Sequence, residues 1–112
     1  MTAGRFDISC TQGNAFTAEI SVKNPDESLP SLFYWSARMQ VRRTTLSPDT
    51  LIELSTDNGR IVKYVEGAKI VLSLSSEETS SLPVGEHVYD LEVYNTIRNC
   101  VLRLIKGKFT VG

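Results

Sequence analysis

Gly85-Glu86-His87-Val88-Tyr89-Asp90-Leu91-Glu92-Val93-Tyr94 is the stretch on which the fold turns. Its apolar side chains recur every second residue: His87, Tyr89, Leu91 and Val93 take one face, and Val88, Asp90, Glu92 and Tyr94 take the other. Period two is the signature of a β-strand with one face on a core and the other on solvent, the usual state of a strand in an antiparallel sheet. Upstream, Ser75 and Glu78 stand three apart, as a capping box requires. The spacing predicts a single helical turn near residues 76–82, ended by Pro83. Downstream, Cys100, Leu102 and Leu104 share one parity and Phe109 and Val111 the other. An extra residue in the pairing produces such a switch, which predicts a β-bulge at Gly107.

The same alternation runs back to the N-terminus. Phe6, Ile8 and Cys10 read as a first strand; Phe16, Ala18, Ile20 and Val22 form the apolar face of a second. Asn24-Pro25-Asp26-Glu27-Ser28 is a loop, since Pro25 has no ladder donor and Asn and Asp favour turns. A third strand is predicted from Leu32 to Arg43, with Phe33, Trp35, Ala37, Met39 and Val41 inward and Trp35 plugging the core. Leu51–Ser55 and Arg60–Val65 follow, separated by Asp57-Asn58-Gly59, a dipeptide-type tight turn expected to take positive φ at both central residues. Glu66-Gly67 turns the chain into Ala68–Leu74. Seven to nine strands with turns every 8–14 residues predict one all-β domain over 1–112, an immunoglobulin-like antiparallel β-sandwich.

Composition narrows the partners. With 41% hydrophobic and 22% charged residues, the chain has apolar surface enough to offset its conformational entropy, so a disordered chain is excluded. Twelve basic and thirteen acidic residues leave a net charge of −1, which argues against nucleic acid as a partner. Arg38, Arg42 and Arg43 are the densest basic cluster and read as a solvated outer face with no interleaved aromatic. Met1–Phe6 has no leader-like apolar run, and no stretch approaches the ~20 apolar residues that span a bilayer. The expectation is a soluble protein made in the cytoplasm, with no membrane partner. Cys10 and Cys100 read as reduced, small hydrophobes, although their numbers alone leave a bridge between terminal strands open.

Reactive constellations do not emerge. The single histidine, His87, has core parity and reads as a buried ring with a hydrogen-bond partner. Asp90 and Glu92 share a flat strand face and read as solubilising charges or as cross-strand partners of Arg103, rather than as a glycosidase pair. Asp26, Glu27, Asp57 and Asn58 lack the carboxylate density of a calcium loop. No catalytic residue, cofactor site or metal site is therefore expected. The chemistry left is that of surfaces. Val71, Val88, Tyr94, Ile97, Val101 and Ile105 are apolar at outward or end positions; Val88, Tyr94, Val101 and Ile105, on consecutive strands, are the candidate interface.

Three runs carry a resemblance: Ser36-Ala37-Arg38-Met39-Gln40-Val41-Arg42, then Leu82-Pro83-Val84-Gly85-Glu86-His87-Val88-Tyr89-Asp90-Leu91-Glu92-Val93, and Leu104-Ile105-Lys106-Gly107-Lys108-Phe109-Thr110-Val111. Together with Thr56–Leu74, they resemble small Ig-like structural proteins of tailed bacteriophages and are similar in pattern to the N-terminal domain of baseplate upper proteins. Two departures stand out: His87 where an aromatic is common, and the long Asn24–Leu32 loop where a shorter Gly-rich one is usual. The resemblance implies a non-enzymatic virion component, a tail or baseplate adaptor that docks fibres or a neighbouring ring as a symmetric oligomer with other virion proteins and its own copies. A capsid decoration or head-fibre protein, and a carbohydrate-binding module using Trp35, Tyr34 or Tyr94, are the alternative readings.

Overall fold

In the computed structural model, residues 4–26, 28–95 and 97–112 are described. The strands are β1 (Gly4–Arg5), β2 (Ile8–Cys10), β3 (Phe16–Ser21), β4 (Ser36–Arg42), β5 (Ile52–Ser55), β6 (Ile61–Tyr64), β7 (Lys69–Leu74), β8 (Gly85–Asn95) and β9 (Cys100–Val111), with one helical turn, α1 (Ser76–Ser80), between β7 and β8. Two sheets face each other. The larger has the order β1-β9-β8-β4-β5, with β2 following β1 along the same side of β9; the smaller is β3-β7-β6. In immunoglobulin terms β3, β7 and β6 are strands B, E and D, while β5, β4, β8 and β9 are C′, C, F and G. The chain is an immunoglobulin-like β-sandwich.

Alternation makes the core. On β8, His87, Tyr89, Leu91, Val93 and Asn95 are buried and the residues between them are not. They meet Ala37, Met39 and Val41 of β4 and, across the sandwich, Ile61, Ile70, Leu72 and Leu74. Full burial of one such Leu, Ile or Met contributes about 1.5–3 kcal/mol. The aromatic at the centre is Phe109, whose ring meets Phe16 edge-on at 5.9 Å and Tyr89 at 6.4 Å. Trp35 instead packs half-buried at the core's rim. It lies outside β4 because its amide donates to Leu32 O at 3.0 Å, closing a turn that lifts Phe33 and Tyr34 off the strand. Strand alternation therefore starts at Ser36, four residues later than the sequence suggests.

The capping box forms as expected: Ser75 Oγ accepts from Glu78 N, and the Glu78 carboxylate accepts from Ser75 N. That amide, together with Arg60, holds the Glu78 carboxyl below its ordinary pKa. The Asn58-Gly59 turn differs from expectation. Only Gly59 has positive φ, and β5 and β6 belong to different sheets, so the turn moves the chain between sheets and closes no hairpin. Asn58 supports it with its side chain, accepting from Ser55 N and Arg60 N and donating to Glu53 O.

The bulge exists, but not at Gly107. Leu91 pairs with Ile105 and Glu92 with Arg103, which leaves Leu104 as the extra residue. Leu104 and Ile105 are adjacent and both buried, something a regular strand cannot arrange. Gly107 answers a different demand. β1 and β2 lie parallel to β9 in one register, and between them the chain crosses Gly107 so closely that a Cβ there would overlap Phe6 O. The ladder is interrupted at Phe6 and Asp7, and side chains complete it: Tyr89 Oη donates to Phe6 O, and Lys108 N donates to Asp7 Oδ1 at 3.0 Å. Burial pushes the Tyr89 phenol well above its ordinary pKa, so it stays a donor. The first strand is thus two short ones.

Two outcomes follow from this crossing. Gly107→Ala should cost about 1–3 kcal/mol in urea unfolding, because the overlap is with backbone that cannot step aside. Asp7 has its carboxyl pKa lowered, first by the Lys108 amide and secondarily by Arg5. Its support for the N-terminal crossing is therefore present above the unfolded-state pKa and lost as pH falls through the lowered one. Amide exchange at Lys108 should accelerate in that acid range, and Asp7→Asn should flatten the response.

Candidate functional site: an apolar loop end

The β3–β4 loop and the β8–β9 loop meet at one end of the sandwich. They surround a cavity of about 760 Å³, lined in part by Pro30, Tyr34, Trp35, Ile97, Arg98 and Leu102. Around it large apolar side chains stand in solvent: Phe33 is 63% exposed, Tyr34 62% and Ile97 78%, with Leu29, Val101 and Leu102 also exposed. Scattered apolar residues are normal on a surface; a contiguous group at loops held by a rigid sandwich marks a contact site.

The loops are built, not slack. In the first, Asn24 N donates to Ser28 O at 2.8 Å and Ser28 N donates to Asp26 Oδ1 at 3.0 Å. The Ser28 hydroxyl and amide together hold the Asp26 carboxyl below its ordinary pKa. Buried Leu32 anchors the far side, and Phe33 and Tyr34 then stack edge-to-face at 4.9 Å on the tip. The key support comes from the opposite sheet. Lys63 on β6 sends its ammonium to three carbonyls, Leu32 O at 3.1 Å, Phe33 O at 2.9 Å and Trp35 O at 2.7 Å. A lysine has three donors, and here each finds an acceptor. In the second loop, buried Asn95 accepts from Ile97 N at 3.0 Å and Arg98 N at 3.2 Å, and Asn99 takes positive φ to re-enter β9.

The four residues of the candidate interface separate. Tyr94 and Val101 are cross-strand partners beside the loop end, and Arg38 lies 5.3 Å from the Tyr94 ring centre. The Arg38 face therefore does carry an aromatic. Val88 sits six residues away along β8, roughly 20 Å at strand rise, next to Arg42 and Lys108. Ile105 is 2% exposed and belongs to the core, because the bulge at Leu104 reverses its parity.

Other singled-out residues resolve as follows. His87 is 4% exposed, with Nε2 2.7 Å from Pro83 O. Asp90 pairs with Arg103 at 3.6 Å and Glu92 with Arg38 at 2.9 Å, so Arg103 serves only the first of the two carboxylates. Cys10 lies opposite Val111 and Cys100 opposite Asn95, near the two ends of β9; both thiols are free, and the open possibility of a bridge is closed. Burial raises the Cys10 pKa. Of the calcium-loop candidates, Glu27 lies outside the described residues, as do Met1, Thr2 and Ala3 of the N-terminal reading. Among the described residues no group of three or more His, Cys, Asp or Glu is placed to hold a metal ion.

What the sequence reading missed is the exposure of Phe33 and the rim position of Trp35. The available signal was Phe33-Tyr34-Trp35 itself, three consecutive aromatics that break the apolar/polar alternation seen from Ser36 onward.

Comparison with known proteins adds little. No family model and no curated protein matches the chain. Among solved structures it is similar to the crystal structure of CopC from Methylosinus trichosporium OB3b, at 12% identity and a TM-score of 0.45, over 99% of this chain and 84% of that one. A likeness that distant bears on no ligand or partner.

Lys63→Met keeps the aliphatic stem and removes the three donors, leaving three carbonyls without them. Hydrogen bonds to a charged group of this kind contribute about 1.5–3 kcal/mol, so the loop should open at least tenfold more often. Faster amide exchange at Trp35, which donates to Leu32 O, reports it. Exchange at Leu91, deep in the core, should change far less.

Proposed function

We propose that the chain is a non-enzymatic structural component of a tailed-bacteriophage particle, a tail or baseplate adaptor. It docks a fibre protein or a neighbouring ring through the loop end. The observation that carries the docking reading is that Phe33, Tyr34, Ile97, Val101 and Leu102 are exposed together at one end of the sandwich, around one cavity, whereas Leu46 and Val84 are exposed elsewhere. Exposure of this kind costs solubility and gives the isolated domain nothing in return. The phage assignment is supported by the three sequence runs that resemble small Ig-like virion proteins. These runs supply the central strands β4, β8 and β9, and the loop end is mounted on those strands.

Assembly physics points the same way. Contacts of a stable kind bury roughly 1,200–2,000 Å², more than one loop pair supplies, so the loop end would act in concert with symmetric copies of the chain. A second reading, recognition of a saccharide on the host surface, is favoured by Tyr34 and Trp35 lining the same cavity with Arg98 and Asn95. The two differ in what the aromatics contact.

In particles purified from the source virus, the chain should be present at about six to a few dozen copies. Hundreds would indicate a capsid position, and absence would remove the proposal. Combined Phe33→Ser and Ile97→Asp should cut copies per particle roughly 30-fold, the effect of losing a central apolar contact. The melting temperature of the isolated domain should change little, because both side chains are mostly in water and Phe33 loses only its edge contact with Tyr34. A glycan array probed with the native chain decides the second reading, and silence there dismisses it.

A further inference from the structure

A second feature lies on the outer face of the large sheet, away from the loop end. One row across that face sets Arg42 beside Val88 and Val88 beside Lys108; the next sets Gln40 beside Asp90, Asp90 beside Lys106 and Lys106 beside Arg5. These rows, with Arg103, line a cleft of about 370 Å³. Five basic side chains stand around one carboxylate. Three of them are matched: Arg5 by Asp7 at 3.6 Å, Arg103 by Asp90 at 3.6 Å and Lys108 by Glu86 at 3.3 Å. Arg42 and Lys106 have no carboxylate within ion-pairing distance among the described residues.

Arg42 is under-used in a second way. One of its terminal nitrogens, Nη2, donates to Gln40 Oε1 at 2.6 Å, while Nε is buried without an acceptor. A buried donor left unmet lowers the stability of the free protein, and a turn of the Arg42 side chain outward toward an incoming anion would relieve it. We propose that this cleft receives an acidic segment of a partner protein, with carboxylates set between Arg42 and Lys106 over Val88. The Arg42 guanidinium offers the planar fork that a carboxylate accepts in two bonds, and Val88 gives the segment's aliphatic stems a dry floor. A nucleic-acid strand fits poorly: Asp90, Glu92 and Glu86 interrupt the basic residues, and two unmatched cations cannot track a phosphate chain. The cleft shares no residue with the loop end, so the assignment is independent of the function proposed above.

The test titrates the full chain with hexaglutamate at low salt, following backbone amide shifts, with inorganic phosphate and a thymidine decanucleotide as comparison probes. Hexaglutamate should shift Val88, Lys106 and Lys108, with affinity falling as salt rises. Arg42→Gln combined with Lys106→Gln should weaken it at least about tenfold, while Lys23→Gln, an exposed lysine outside the cleft, leaves it unchanged. Arg42→Gln alone should melt no lower than the native chain, which separates a binding role from a structural one. Unchanged affinity in the double variant, tighter binding to the decanucleotide, or binding of phosphate without hexaglutamate would each overturn the assignment.

Discussion

The pairing of β8 with β9 is the constraint to which the rest of this molecule answers. The ladder runs from Gly85 opposite Val111 to Asn95 opposite Cys100, with its one irregularity at Leu104. Because side chains alternate, that irregularity decides which face each half of β9 shows to the core. It turns Ile105, Phe109 and Val111 inward, while beyond it Val101 faces outward beside Tyr94 and Leu102 lies on the core side beside Val93, only partly covered at the loop end. With Phe109 inward, the central aromatic contacts with Phe16 and Tyr89 become available. The bare backbone of Gly107 lets the N-terminal segment cross, with Tyr89 and Asp7 completing the interrupted ladder. A slip of one residue here would undo the core and the N-terminal pairing together.

The sheets are joined by more than apolar contact. Lys63, on the smaller sheet, holds the loop that leads into β4 of the larger one. This is an economical way to fix a loop whose own side chains point outward. Phe33 and Tyr34 gain little burial from their position, so packing fixes the loop only through Leu32 and Trp35 on either side of them; three directional bonds to its carbonyls fix the tip between. Rigidity at an exposed aromatic tip lowers the ordering cost when a partner binds.

Much of the fold was legible because period two is a local property. The alternation of β8, the capping box at Ser75 and Glu78, and the inward positions of Ala37, Met39 and Val41 depend on neighbours in sequence. The failures share a different origin. Gly107 reads as a bulge residue from parity alone, yet its requirement comes from Phe6, a hundred residues away. Asn58-Gly59 reads as a tight turn between two strands, but whether those strands pair is decided by β4–β5 and β6–β7, which put them in different sheets. Trp35 reads as a core plug until the turn at Leu32 is known. Of the candidate interface, Tyr94 and Val101 were legible from outward parity, whereas Ile105 was lost to the displaced bulge.

Two surfaces of opposite chemistry therefore ride on one rigid sheet. Val88 and Tyr94 lie on the same strand, so the basic cleft and the apolar loop end keep a fixed separation of roughly 20 Å at strand rise. Neither needs to move for the other to be filled, and no lining residue is common to both. For a protein proposed to act as an adaptor, this is the geometry the role demands. An apolar end supplies area-driven adhesion that salt barely affects, while a charged cleft supplies orientation and rejects partners of the wrong sign. Held at a fixed distance on one sheet, the two contacts raise each other's effective concentration only for a partner, or a pair of partners, whose spacing matches. In the adaptor proposed above, selectivity for one assembly would come from the stiffness of β8 and β9, the same ladder that fixes the core.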